Sequence, residues 1–197
     1  MDRIKKLIQN APVHERHLEL RSYPLEGGQL VVEGLLRDKQ LVQGYNWDGS
    51  DRPKGTIHLM RVRMLVAGWP PSIIDAEAEM PDVIPHERCP TTLDSVKKVV
   101  GLSIASGYSE EVHKRIGGYR GCTHLTHLIL AMGTAAMHGY WANKSREIRP
   151  LPQSMDDLPE LEAVRNSCKL WTEDGPIMQY LNEIMEKARD SGQKSDL

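Results

Sequence analysis

Thr56-Ile57-His58-Leu59-Met60-Arg61-Val62-Arg63-Met64-Leu65-Val66 is the stretch on which the fold turns. Its even positions are His58, Met60, Val62, Met64 and Val66, whereas Arg61 and Arg63 occupy odd ones. Successive side chains point to opposite faces of a strand, so the apolar even face is the buried one. That parity carries His58 inward, towards whatever covers the sheet.

Working outward, two shorter alternating runs lie upstream. Residues 16–23 put Leu18 and Leu20 on one side, and residues 29–38 do the same with Leu30, Val32 and Leu36. Glu26-Gly27-Gly28-Gln29 is a turn between them, and residues 45–53 form a polar loop rich in turn formers. Downstream, Gly68-Trp69-Pro70-Pro71 turns the chain into a fourth run, residues 72–80. There the alternation buries Ile74, Ala76, Ala78 and Met80 and exposes Asp75, Glu77 and Glu79. Short connections favour an antiparallel meander with one face covered.

From Pro90 the period becomes helical. Leu93, Val96, Val100 and Ile104 form a stripe, and Ser109 caps a short helix that ends before Gly117-Gly118. A long helix over residues 122–141 carries Leu125, Leu128, Ile129, Met132 and Ala136 on one face. A Pro-containing linker over residues 145–157 leads to two further helical patches, and the polar residues 190–197 are expected to fray. Strands first and helices afterwards predict an α+β fold, an antiparallel meander sheet with helices packed on one face plus a C-terminal helical extension. Residues 1–143 are the core domain, and 144–197 a linker and helical tail packing on it.

Composition narrows the function classes. Hydrophobic residues make up 40% of the 197, enough to bury a core, and nine Met with no Phe leave Leu, Val, Ile and Met to build it. The net charge of −2 is spread along the chain with no basic block, which argues against nucleic acid. The polar N-terminus and the absence of any long apolar run argue against a signal peptide and a membrane span. Three cysteines, an odd count, imply no disulfide framework and a cytoplasmic setting.

Two of those cysteines open helices. Pro90 follows Cys89, and proline favours the first helical position. Gly121-Cys122-Thr123 leads into the long helix. Free N–H groups and the positive end of the helix dipole favour a thiolate at such positions. His58 is a polar ring on an apolar stripe and needs a partner. His58, Cys89 and Cys122 are a natural ligand set for one zinc or iron ion, with His124 nearest for a fourth position. His124 or His127 would move protons, and Arg61 or Arg120 would hold an anionic group. The bland alternative is a histidine bonded to backbone and cysteines that merely pack. Cys168 has no comparable context.

These residues also carry two resemblances. Val32-Glu33-Gly34-Leu35-Leu36-Arg37-Asp38, His58-Leu59-Met60, Pro85 with Cys89, and Gly121-Cys122-Thr123-His124-Leu125-Thr126 resemble the hallmarks of a bacterial family catalogued as a domain of unknown function. The resemblance covers roughly residues 15–142. Two positions depart from it: the family usually has Asp where this chain has Leu59, and Glu where it has His127. More distantly, the order of elements over residues 56–140 is similar to the iron–sulfur cluster scaffold proteins. On that comparison Cys89 and Cys122 match two of the scaffold's cysteines, His58 falls at an acidic ligand position, and Thr56 stands where a further cysteine would be.

The reading that follows is a metal-dependent enzyme of hydrolase or lyase type, acting on a small, anionic organic substrate. A non-enzymatic iron–sulfur or metal carrier is one alternative. A metal-free enzyme with Cys122 as nucleophile and His124 as base is another. Neither a nucleic-acid nor a membrane partner is expected, and a homo-oligomer stays open.

Overall fold

The computed structural model describes residues 3–81 and 87–193, so Pro85 and His86 of the motif before Cys89 lie outside the described residues. In chain order the strands are β1 (His14–Pro24), β2 (Leu30–Gln40), β3 (Gly44–Tyr45), β4 (Asp51–Arg52), β5 (Gly55–Ala67) and β6 (Ser72–Glu79). β1, β2, β5 and β6 pair antiparallel in that order, which is the expected meander. β3 and β4 form a small separate ribbon within the polar loop. A 3-10 helix over Cys89–Val99 follows, then α1 (Tyr108–Ile116), α2 (Thr123–Lys144) and α3 (Pro176–Gln193). No helix of the described residues is long and apolar enough to cross a membrane.

The parity of β5 is as its sequence predicts. Met60, Val62, Met64 and Val66 are buried, together with Leu30, Val32 and Leu36 of β2. They pack against Leu125, Leu128, Ile129 and Met132 of α2 in one continuous core. α2 lies close enough that a Cβ on Gly34 would stand 2.7 Å from the Met132 sulfur. The glycine in mid-strand is therefore a packing requirement. On the opposite sheet face Arg63 bonds Glu33 at 2.8 Å and Glu77 at 3.1 Å, and Arg61 bonds Glu79 at 2.7 Å.

Local details differ from expectation where the chain leaves ideal geometry. The β5–β6 register shifts between Leu65 and Val66, which pair with Asp75 and Ile73. A bulge adds one residue and reverses parity beyond it, so Ile73 is buried and Ile74 is 48% exposed. Residues 89–99 wind as a 3-10 helix, whose tighter turn repeats every three residues. Its buried apolar residues are accordingly Val96 and Val99, with Leu93 and Val100 partly buried. Gly107, in the left-handed conformation at φ 83°, is the N-cap of α1 in place of Ser109. β1 is an edge strand, and Leu18 stays 46% exposed.

The C-terminal extension is three short 3-10 turns and α3. The helix continues through the polar stretch expected to fray as far as Gln193, and residues 194–197 lie outside the described residues. Val164, Met178, Met185 and Ala188 are buried.

Candidate metal centre

A row of polar residues crosses three strands at one end of the buried sheet face. Arg16 on β1 stands directly opposite Asp38 on β2, and Asp38 directly opposite His58 on β5. Directly opposed residues on one face are the closest cross-strand neighbours. All three continue the even-numbered parity that buries the core, so they face α2. Asp38 is 1% exposed.

The Arg16 guanidinium grips the carboxylate as a fork, Nε donating to Oδ1 at 2.6 Å and an Nη to Oδ2 at 2.7 Å. Charge-assisted bonds of this kind fix both position and plane. His124, in the first turn of α2, reaches down from above. Its Nε2 lies 3.5 Å from Asp38 Oδ2, and His58 Nδ1 lies 3.3 Å from the same oxygen. The two imidazole rings stack with centroids 4.0 Å apart and planes tilted by 33°. Despite its proximity to Oδ2, His58 Nδ1 is buried without a hydrogen bond. Asp38, His58 and His124 offer ligand atoms all within 4.8 Å of one another, a group that could hold a metal ion.

Two further residues stand at its edge. His14 Nε2 approaches Asp38 Oδ1 at 3.6 Å with its side chain about half exposed. Cys122, the N-cap of α2, places Sγ 3.7 Å from His124 Nδ1. His124 thus bridges a thiol on one ring nitrogen and a carboxylate on the other.

The titratable groups of the cluster shift one another. Burial would push Asp38 up, yet the bonds from Arg16 and the positive field of Arg16 and both histidines hold it below the usual carboxylate range. His58 is held below the ordinary imidazole value, first by burial and next by His124, against the opposing pull of Asp38. Burial raises the Cys122 thiol, but bonds from His124 and from the backbone N–H groups of Leu125 and His124 bring it below its ordinary value.

A pH dependence follows from these directions. A histidine depressed in the folded state stabilises the fold above its unfolded pKa of about 6.5, and this is lost as pH falls through the lower folded value. Asp38 behaves alike, its contribution being present above about 3.9 and lost on descent through its own depressed value. Thermal melts of metal-free protein should therefore show the melting temperature starting to fall below about pH 6.5, with a second loss below about pH 4. A His58→Gln variant should lack the first step. An unchanged upper limb in that variant would contradict the assignment.

The sequence-predicted residues are distributed as follows. His58 faces the helices, as strand parity requires. His124, expected from sequence both as a candidate fourth ligand and as a proton carrier, joins it. Cys122 touches His124 but lies outside that group, and half-buried Cys89, first residue of its 3-10 helix, does not belong to it either. The ligand atoms that gather around His58 are those of Asp38 and His124. Arg61 sits on the far face of the sheet among Glu33 and Glu79, because its odd position points it away from His58. His127 is exposed, and exposed Arg120 lies 4.8 Å from the Tyr119 ring. Exposed Cys168 belongs to the extension.

Asp38, Arg16 and His14 were missed. Their signal was present in the alternation itself: Arg16 continues the parity of Leu18 and Leu20, and Asp38 that of Leu36. A charge on the apolar face of a strand needs a buried partner.

A family model described as "Protein of unknown function (DUF2889)" matches residues 14–138, a span that includes every residue of this cluster. Neither a curated protein nor a solved structure matches the chain.

Proposed function

The chain belongs to the DUF2889 family, and we propose that it is a metal-dependent enzyme of hydrolase or lyase type, acting on a small anionic organic substrate. Asp38, His58 and His124 hold one zinc or ferrous ion. The observation that carries the reading is the buried, unbonded Nδ1 of His58, which converges with Nε2 of His124 on a single oxygen of Asp38. A buried polar nitrogen that makes no hydrogen bond is costly, and a cation among these three atoms would satisfy all of them at once. Two imidazoles and a carboxylate are a set used by both zinc and ferrous iron. When bound, the ion would polarise a carbonyl or lower the pKa of a coordinated water.

The protein's own residues have definable tasks. Arg16 orients Asp38 and cancels its charge. A dication beside that neutral pair and two neutral imidazoles leaves the site positive, which favours an anionic substrate. His14, half exposed at the rim beside Asp38, is a candidate for exchanging protons with solvent. Cys122 orients the His124 ring from its other nitrogen, as outer-shell partners of metal-bound histidines do. Exposed Arg120, shortly before Cys122 in the chain, is a candidate for holding the substrate's anionic group.

One further geometry favours a second reading. Cys122 Sγ, the His124 ring and Asp38 Oδ2 form a series at 3.7 Å and 3.5 Å, in the order nucleophile, base and orienting acid. That is the metal-free cysteine enzyme. A cluster carrier draws less support, since only one thiol stands at the group.

Elemental analysis of anaerobically purified protein, combined with alkylation before and after chelation, tests these readings together. The metal enzyme should retain about one zinc or iron per chain, released by chelator. Cys122 should then react slowly at first and faster after chelation, once His124 is freed. Protein that neither retains metal nor binds added zinc or ferrous ion would overturn the reading. Fast labelling at Cys122 from the outset, indifferent to chelator, would favour the nucleophile.

A further inference from the structure

We infer that a second site, between the C-terminal end of α2 and the extension, binds a small, uncharged aromatic molecule bearing both a hydrogen-bond donor and an acceptor. The cavity there has a volume of about 430 Å³, within the usual range of ligand pockets. Its walls include the rings of Trp141 and Trp171 and the side chains of Leu158 and Leu181. None of its lining residues belongs to the Asp38–His58–His124 group. Seventeen residues separate His124 from Trp141 on α2 (141 − 124), which places the two sites about 26 Å apart along the helix.

Two buried polar atoms of residues lining this one cavity have no hydrogen-bond partner, Trp141 Nε1 and Glu160 Oε2. The Glu160 side chain is only 9% exposed, and its bonding is lopsided. Lys144 at 2.9 Å and Arg149 at 3.0 Å both engage Oε1, leaving Oε2 as an acceptor with nothing to accept. Native proteins leave few buried groups in that condition. The orphans are complementary, one donor and one acceptor beside apolar aromatic walls. A ligand with a donor for Oε2 and an acceptor for the indole N–H would satisfy both, while its ring replaced solvent against the tryptophans.

Charge narrows the class further. Lys144 and Arg149 are balanced by Glu147 and Glu160 on the same walls, so the lining carries no net charge and favours an uncharged ligand. An amide, or a hydroxyl beside a carbonyl, on a six-membered aromatic ring meets every requirement. Burial alone would raise the Glu160 carboxyl, but bonds from Lys144, from its own backbone N–H and from Arg149 hold it below its ordinary value, so it remains an acceptor at neutral pH.

The test uses the full chain with nitrogen-15-labelled tryptophan and benzamide as the probe. Titration should move the Trp141 indole N–H resonance saturably, that resonance being assigned by its loss in Trp141→Phe. Toluene, of similar size but with neither donor nor acceptor, should bind at least about 10-fold more weakly. Trp141→Phe keeps the ring packing while deleting the N–H. Followed at Trp171, it should weaken benzamide about 5- to 10-fold. Glu160→Gln should also weaken it, and because that change can loosen the extension, Trp141→Phe is the deciding variant. No saturable shift with benzamide, equal affinity for toluene, or unchanged affinity in Trp141→Phe would overturn the inference.

Discussion

Alanine at His58 or at His124 is expected to lower the affinity for zinc or ferrous ion by more than about 100-fold. Loss of an outer-shell partner alone typically costs 10- to 100-fold, and these residues offer ligand atoms directly. Asp38→Asn should fall in the same class, since the amide is a poorer ligand than the carboxylate it replaces. The cysteines separate the ligand set expected from sequence from the group seen in the fold. If His58, Cys89 and Cys122 were the ligands, Cys89→Ala would be as damaging as His58→Ala. With Asp38, His58 and His124 as ligands, Cys89→Ala stays near wild type and Cys122→Ala shows only the smaller loss of an orienting partner. Cys168→Ala, on the extension, serves as the unaffected control. Competition against a chromophoric chelator measures all of these on one scale. Wild-type affinity in both histidine variants would remove the metal centre.

The second large effect is on stability. Arg16→Ala strands a carboxylate that is 2% exposed and whose other ion-pair neighbours among the described residues are imidazoles. Breaking a fully buried ion pair from one side costs about 3–5 kcal/mol. Arg16 itself is 35% exposed, so solvent screens part of that loss and about 2–3 kcal/mol is expected. The double variant Arg16→Ala/Asp38→Asn should recover part of the loss, because the stranded charge is gone while the missing arginine stem is not. Urea melts of metal-free protein give both numbers. A double variant no more stable than Arg16→Ala would assign the loss to packing instead of charge. In Arg16→Ala metal affinity should also fall, since Arg16 holds the plane of the Asp38 carboxylate.

Much of the fold was legible because strand parity and helix periodicity are local. Thr56 to Val66 declares its buried face from its own alternation, and the short turns before and after it leave an antiparallel meander as the natural arrangement. Small departures came from geometry that local patterns do not encode. The bulge that buries Ile73 in place of Ile74 depends on how β6 meets β5. The 3-10 winding of residues 89–99 shortens a stripe that an α-helical period would carry to Val100.

Sequence by itself determined that His58 faces inward, that Cys122 begins a helix and that His124 lies in that helix's first turn. Each of these depends on a few neighbouring residues. Only the tertiary structure decided which groups meet. Asp38 finds Arg16 through the β1–β2 register and His58 through the β2–β5 register, while His124 arrives because α2 docks over Gly34. Cys89 stays outside the ligand group because the position of its 3-10 helix is set by packing against β6 and α1. Alternation specifies a face, but the partner on that face is chosen by registers and docking between segments far apart in the chain.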